Sequence, residues 1–160
     1  AYIRAVADDV RRHWAAVGPL GEKGTLLMSF HGIPQASSDR GDPYEAQCRE
    51  TARLIAEELG LPADAWTLSF QSKFGRAKWL EPASIDTAKR LASEGVERLD
   101  VVCPGFAADC LETIEEIGDE LKGIFLAAGG KTFHYIPAMN AQPEAVAAYA
   151  AIVKSAVAGA

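Results

Sequence analysis

Cysteine is scarce in this chain: Cys48, Cys103 and Cys110 are the three among 160 residues. An odd count with no CxxC spacing excludes a disulfide framework and a cysteine-built zinc site. Three reduced thiols fit a cytoplasmic protein, which is the expectation here. No apolar run approaches the ~20 residues that a membrane-spanning helix needs, and nothing at the start reads as a secretory leader. There is no Walker motif or dinucleotide fingerprint, and no serine sits in a nucleophile elbow. Positive charge is also short: 16 Lys and Arg stand against 22 Asp and Glu, for a net charge of −6. With no basic stripe, nucleic acid is not an expected partner. The chain lacks an initial methionine and opens AYIRAV directly into a helical pattern. We therefore expect a piece of a longer protein.

What is present fits one globular domain over residues 1–160. Hydrophobic residues make up 49% and charged residues 24%, ordinary values for such a domain, and the length suffices for a real core. Ile3, Val6, Val10, Trp14 and Val17 recur at helical spacing over 1–17. Residues 25–30 form a short apolar run, the pattern of a strand buried on both faces. A polar loop with Gly32, Pro34, Ser37, Ser38 and Gly41 follows. Asp42-Pro43-Tyr44-Glu45 then reads as a capped helix start, with Pro43 in the first turn and Glu45 closing a capping box. That helix runs to Gly60. A second strand covers 66–70, a helix 84–92, a third strand 98–103, a long helix 110–128, a fourth strand 132–136, and a last helix starts at Pro143. Strand–helix alternation predicts an α/β fold, a four-stranded parallel sheet with helices on both faces.

Ligands of open parallel sheets bind beyond the carboxyl ends of the strands. Four segments fall there: His31-Gly32-Ile33-Pro34, then Gln71-Ser72-Lys73-Phe74-Gly75-Arg76, then Pro104-Gly105-Phe106 leading to Asp109-Cys110-Leu111-Glu112, and last Pro137 with Asn140. His31 ends an apolar strand, where an imidazole serves as proton acceptor, metal ligand or hydrogen-bonded structural residue. His13, on the flank of the first helix, and His134, within a strand, read as structural. The helix at 110–128 buries Leu111, Ile114, Ile117, Leu121, Ile124, Phe125 and Ala128 on its expected apolar face. Glu112, Glu116 and Glu120 recur every four residues along the opposite face. That row reads either as a solvated acidic surface, with Asp109 and Glu112 in a capping box, or as a path for hard divalent cations or protons.

Four blocks together resemble the ferrochelatase family. Residues 29–34 (SFHGIP) are similar to its SxHGxP signature. Gly41-Asp42-Pro43-Tyr44 with Gln47-Cys48, the run 70–76 (FQSKFGR) with Trp79-Leu80, and the run 103–113 (CPGFAADCLET) follow in the family's order, with Tyr135-Ile136-Pro137 and Asn140 near the end. The resemblance spans essentially the whole chain and implies the C-terminal lobe of a two-lobed enzyme of the chelatase type. Porphyrin would lie in the cleft against an N-terminal lobe that this chain lacks.

It also implies an activity: insertion of Fe²⁺ into protoporphyrin IX or coproporphyrin, the last stage of heme synthesis. His31 and Glu112 match the catalytic pair. His31, Glu112, Glu116 and Glu120 match the metal-handling row, and Gln71, Ser72, Lys73 and Trp79 match a loop near the porphyrin. Cys110 stands where some members carry a second histidine, so that position is not a required base. Three cysteines in this pattern imply no iron–sulfur cluster and no permanently bound cofactor, with Fe²⁺ as substrate. The isolated lobe is expected to expose an apolar cleft wall and self-associate. Two rival readings stay open: a porphyrin- or metal-binding module without turnover, and a chelatase for another divalent metal.

Overall fold

The computed structural model describes residues 1–158. Its elements are α1 (Tyr2–Val17), β1 (Gly24–His31), α2 (Gln35–Asp39), α3 (Tyr44–Leu59), β2 (Trp66–Gln71), α4 (Ser84–Ser93), β3 (Arg98–Val102), α5 (Leu111–Ile114), a π-helical segment (Glu116–Leu121), α6 (Lys122–Ala127), β4 (Thr132–Ile136) and α7 (Pro143–Ala158). The four strands form one sheet in the order β2-β1-β3-β4, and every pairing is parallel.

This order follows from the sequence pattern. Parallel neighbours need a crossover, and each crossover here contains a helix. β1 lies in the interior of the sheet and is buried along seven of its eight residues, which is why it reads as a continuous apolar run. Alternate side chains feed two cores. Leu26, Met28 and Phe30 pack with Val6, Val10, Ala52, Ile55 and Ala145 of α1, α3 and α7. Leu27, Leu99 and Val101 pack on the other face with Ala88, Leu91, Ile117, Leu121 and Phe125. Helices therefore cover both faces, as expected. Chain direction reverses outward from β1, so the crevice between the carboxyl ends of β1 and β3 is the topological switch point.

Several local expectations need correction. The polar loop after β1 contains a short helix, α2. Pro43 occupies the cap position of α3 rather than its first turn. Asp42 still accepts from the Tyr44 N–H at 3.0 Å, but the Glu45 carboxylate turns to Ser38 and Arg49 and closes no capping box. The Asp109–Glu112 box is also not formed. Cys110 is the cap, and its N–H bonds the Thr113 hydroxyl at 3.0 Å.

The largest difference lies in the expected helix 110–128. It is interrupted by a π turn, in which the Glu120 N–H reaches the Glu115 carbonyl at 2.9 Å, five residues back. Such a turn holds one residue more than an α turn and resets the facing of the helix. Ile117, Leu121 and Phe125 stay buried, whereas Leu111 and Ile114 are 72% and 57% exposed. Ala128 is exposed as well.

Candidate functional site

The carboxyl ends of β1, β2 and β3 converge on one edge. His31 and Gln71 are register partners at the ends of β1 and β2. Gly32 follows His31 because the chain is crowded there. Its N–H donates to the Gln71 carbonyl at 2.8 Å. A Cβ on Gly32 would lie 3.0 Å from that carbonyl oxygen and 3.2 Å from the Trp79 ring.

His31 is half-buried, and its Nδ1 lies 2.6 Å from the Gly32 carbonyl. A carbonyl can only accept, so Nδ1 carries a proton, and in the neutral ring it is Nε2 that presents the lone pair. Trp79 and Phe106 flank the imidazole, each with its ring centroid 6.4 Å away. The Tyr44 hydroxyl donates to the His31 carbonyl at 2.9 Å and pins the strand end.

Gln71 joins the strands to the acidic helix. Its side chain is 3% exposed. Oε1 accepts from the Ser29 hydroxyl at 2.8 Å and from the Cys103 thiol at 3.5 Å, while Nε2 donates to the Glu112 carbonyl at 2.6 Å. Ser72 adopts a left-handed backbone, φ 64°, an unfavourable conformation for a residue with a Cβ. Glu116 compensates it: one carboxylate oxygen accepts from the Ser72 N–H and the other from its hydroxyl, both at 2.6 Å. These contacts fasten α5 and the π turn onto the end of β2.

The result is an open cleft of about 610 Å³, lined by Phe70, Gln71, Ser72, Lys73, Phe74, Ser84, Ile85, Asp86, Leu111, Glu112, Glu115, Glu116 and Glu120. Glu112, Glu116 and Glu120 thus line one cleft together with Gln71, Ser72 and Lys73 from the end of β2. His31 and Trp79 are outside this lining; they sit beside each other at the end of β1. The Glu112 carboxyl is held below its usual range, first by a hydrogen bond from the Cys110 side chain, then by its own backbone N–H and by the nearby His31. Cys103, buried behind the site, has its thiol pushed far up by burial and by Glu116 and Asp109. It is an uncharged packing group there.

Asp109 is a structural residue that sequence reasoning underrated. Its carboxylate accepts from the Tyr135 hydroxyl at 2.6 Å, Asn140 Nδ2 at 2.8 Å, the Ala138 N–H at 3.0 Å and the Thr113 hydroxyl at 3.2 Å. Burial pushes its pKa up, but these four donors prevail and hold it low. It ties the loop before α5 to the loop after β4. Asn140, the partner on the far loop, is itself in a left-handed conformation at φ 50°. Both residues fall within the segments that resemble the family, which was the available signal.

The sequence matches the family profile described as Ferrochelatase over residues 1–157. Curated relatives agree. A ferrochelatase of Aromatoleum aromaticum is 53% identical over 154 residues, covering 96% of this chain and 41% of the relative. A ferrochelatase of Polaromonas sp. is 54% identical over 149 residues, covering 93% of the chain and 40% of the relative. A ferrochelatase of Aeromonas hydrophila is 58% identical over 139 residues, covering 87% and 42%. The chain thus spans about two fifths of the length of these curated relatives, and over that span it belongs to the ferrochelatase family.

Proposed function

We propose that this chain is the C-terminal lobe, residues 1–160, of an enzyme that inserts Fe²⁺ into protoporphyrin IX or coproporphyrin as a lyase of heme synthesis. The observation that carries the reading is the free Nε2 of His31 beside a cleft walled by Glu112, Glu116 and Glu120. A free-base porphyrin must shed two pyrrole protons as it takes up a metal ion, and metal and protons compete for the same nitrogens. A base or donor held on one face of the ring lowers that barrier through positioning. Neutral His31 accepts a pyrrole proton or ligates the iron at Nε2. Glu112, ionised at neutral pH, stabilises the imidazolium or the incoming cation. Glu116 and Glu120 continue the carboxylate row towards solvent, where oxygen donors suit a hard divalent ion.

The residues assigned to the porphyrin divide by their geometry. Lys73 is exposed at the cleft and free to meet the porphyrin carboxylates, whereas Ser72, half-exposed there, already donates its N–H and hydroxyl to Glu116 and borders the ring while holding that carboxylate. Trp79 is half-exposed beside His31 and supplies an aromatic surface. Every polar atom of Gln71 is already engaged, so its contribution is to hold the turn that carries Glu112.

The N-terminal lobe of the intact protein supplies the opposite wall. Phe74 and Leu111, 82% and 72% exposed on the cleft, are the apolar surface it or the porphyrin would cover; left bare, they favour self-association of the isolated lobe. We place the activity in the cytoplasm with no resident cofactor or iron–sulfur cluster. Among the described residues no helix is long and apolar enough to cross a membrane.

The test is a fluorescence metallation assay with protoporphyrin and Fe²⁺, run on the chain with and without an added N-terminal lobe. Turnover only in the mixture supports the shared cleft. Folded protein that binds porphyrin but turns over in neither case favours a binding module. Faster insertion of another divalent metal favours a different chelatase.

A further inference from the structure

A second polar cluster lies well away from this cleft. The helix α1 runs antiparallel to the sheet. Tyr2, at its start, bonds the Pro104 carbonyl beyond the carboxyl end of β3 at 2.6 Å. His13 lies eleven residues on, about 16 Å along the helix, towards the opposite edge of the sheet. There it meets Asp100 and His134, register partners in β3 and β4. The two imidazoles pack edge to face, 5.1 Å between centroids. One nitrogen from each ring and one Asp100 oxygen all lie within 4.8 Å of one another.

Two features separate this cluster from an ordinary buried network. His13 Nε2 is buried without a hydrogen-bond partner, alone in this respect among the side-chain nitrogens and oxygens of the described residues. Buried polar groups are normally paired, so an orphan asks for a ligand. Asp100, by contrast, is saturated. Oδ1 accepts from Arg98 Nε and faces His134 Nδ1, both at 2.9 Å, and Oδ2 accepts from Arg98 Nη2 and Trp14 Nε1, both at 2.8 Å. With all its lone-pair sites used, Asp100 is a poor metal ligand. It is well placed to orient one: its contact with Nδ1 favours a proton there, so that in the neutral ring Nε2 carries the lone pair, the carboxylate–histidine arrangement of metal centres.

We propose that His13 and His134, through their Nε2 atoms, bind a borderline divalent cation such as Zn²⁺ or Co²⁺, with Asp100 fixing the His134 ring. Imidazole donors select such ions over Mg²⁺ and Ca²⁺. The Arg98 charge is answered by the Asp100 carboxylate, so the pocket has no net repulsion for a cation. The ring centroids stand 5.1 Å apart, and a metal with nitrogens at about 2.1 Å holds tetrahedral neighbours about 3.4 Å apart, so the two rings turn to bring both Nε2 atoms to that spacing. Water fills the remaining positions, and His134, at 26% side-chain exposure, marks the entry.

The experiment is a Zn²⁺ titration followed by long-range ¹H–¹⁵N spectra of the three imidazoles, with Co²⁺ stoichiometry from equilibrium dialysis. The expected result is that the Nε2 signals of His13 and His134 shift together with Zn²⁺ while Nδ1 of His134 stays protonated. His13→Gln and His134→Gln should each lower the Co²⁺ stoichiometry by one per chain and leave the response of His31 unchanged. If His13 and His134 signals do not move at Zn²⁺ concentrations that shift His31, or if the stoichiometry is the same in both variants, the proposal is overturned. The wild-type spectra decide the matter even where a variant misfolds. A shift confined to His31 would remove this site and leave the cleft reading intact.

Discussion

Replacing Gln71 with alanine tests whether the cleft is assembled by one buried amide. The substitution deletes two hydrogen bonds of ordinary length, to Ser29 and Glu112, and a longer one from the Cys103 thiol. Each ordinary bond is worth a net ~0.5–1.5 kcal/mol. The Ser29 hydroxyl keeps its 2.9 Å contact with Ser84, so its loss is small. The Glu112 carbonyl has no such replacement and bears a desolvation penalty of ~1–3 kcal/mol. With the cavity left by the amide, we expect a loss of about 2–4 kcal/mol, read as a shifted midpoint at unchanged slope in urea unfolding. In the two-lobed protein the same variant should lower kcat for iron insertion more than it raises KM for porphyrin, because the turn that carries Glu112 loses its anchor. A stability loss below about 0.5 kcal/mol, or a change confined to KM, would refute the anchoring argument.

Two further outcomes follow from the geometry. Asp109 has its pKa depressed in the fold, so its stabilisation is fully present above the unfolded carboxyl value of about 3.9 and is lost as pH falls through the lower folded value; Asp109→Asn should be less stable than wild type at pH 7, with the gap closing on acidification through that window in pH-dependent urea melts. Gly32→Ala places a Cβ against the Gln71 carbonyl and the Trp79 ring; it should cost about 1–3 kcal/mol and alter the tryptophan near-ultraviolet dichroism, and a spectrum identical to wild type would mean that Trp79 does not pack as described.

The strands were legible because their signals are local. Thr132–Ile136 and Trp66–Gln71 stand out as short apolar or β-branched runs between breakers, and alternation with helices then leaves a parallel sheet as the economical arrangement. The acidic row was legible too, since a spacing of four residues needs no knowledge of tertiary structure. The π turn was not. Nothing in 116–121 announces it, and its effect is to expose Leu111 and Ile114, which uniform α periodicity places in the core. The roles of Asp109 and Gln71 depend on partners 26 to 42 residues distant, beyond the reach of local pattern. The same is true of His13 and His134. Each alone is an ordinary structural histidine, and they gain meaning only when β3, β4 and α1 bring them to Asp100.

The most direct measurement is Fe²⁺ insertion into protoporphyrin by the two-lobed protein carrying His31→Ala, followed by the loss of porphyrin fluorescence, with circular dichroism to verify the fold. The account predicts that turnover is abolished while the fold and porphyrin binding persist, because the free Nε2 beside the carboxylate wall is gone. Turnover near the wild-type rate in a folded variant would contradict it and remove His31 from the chemistry.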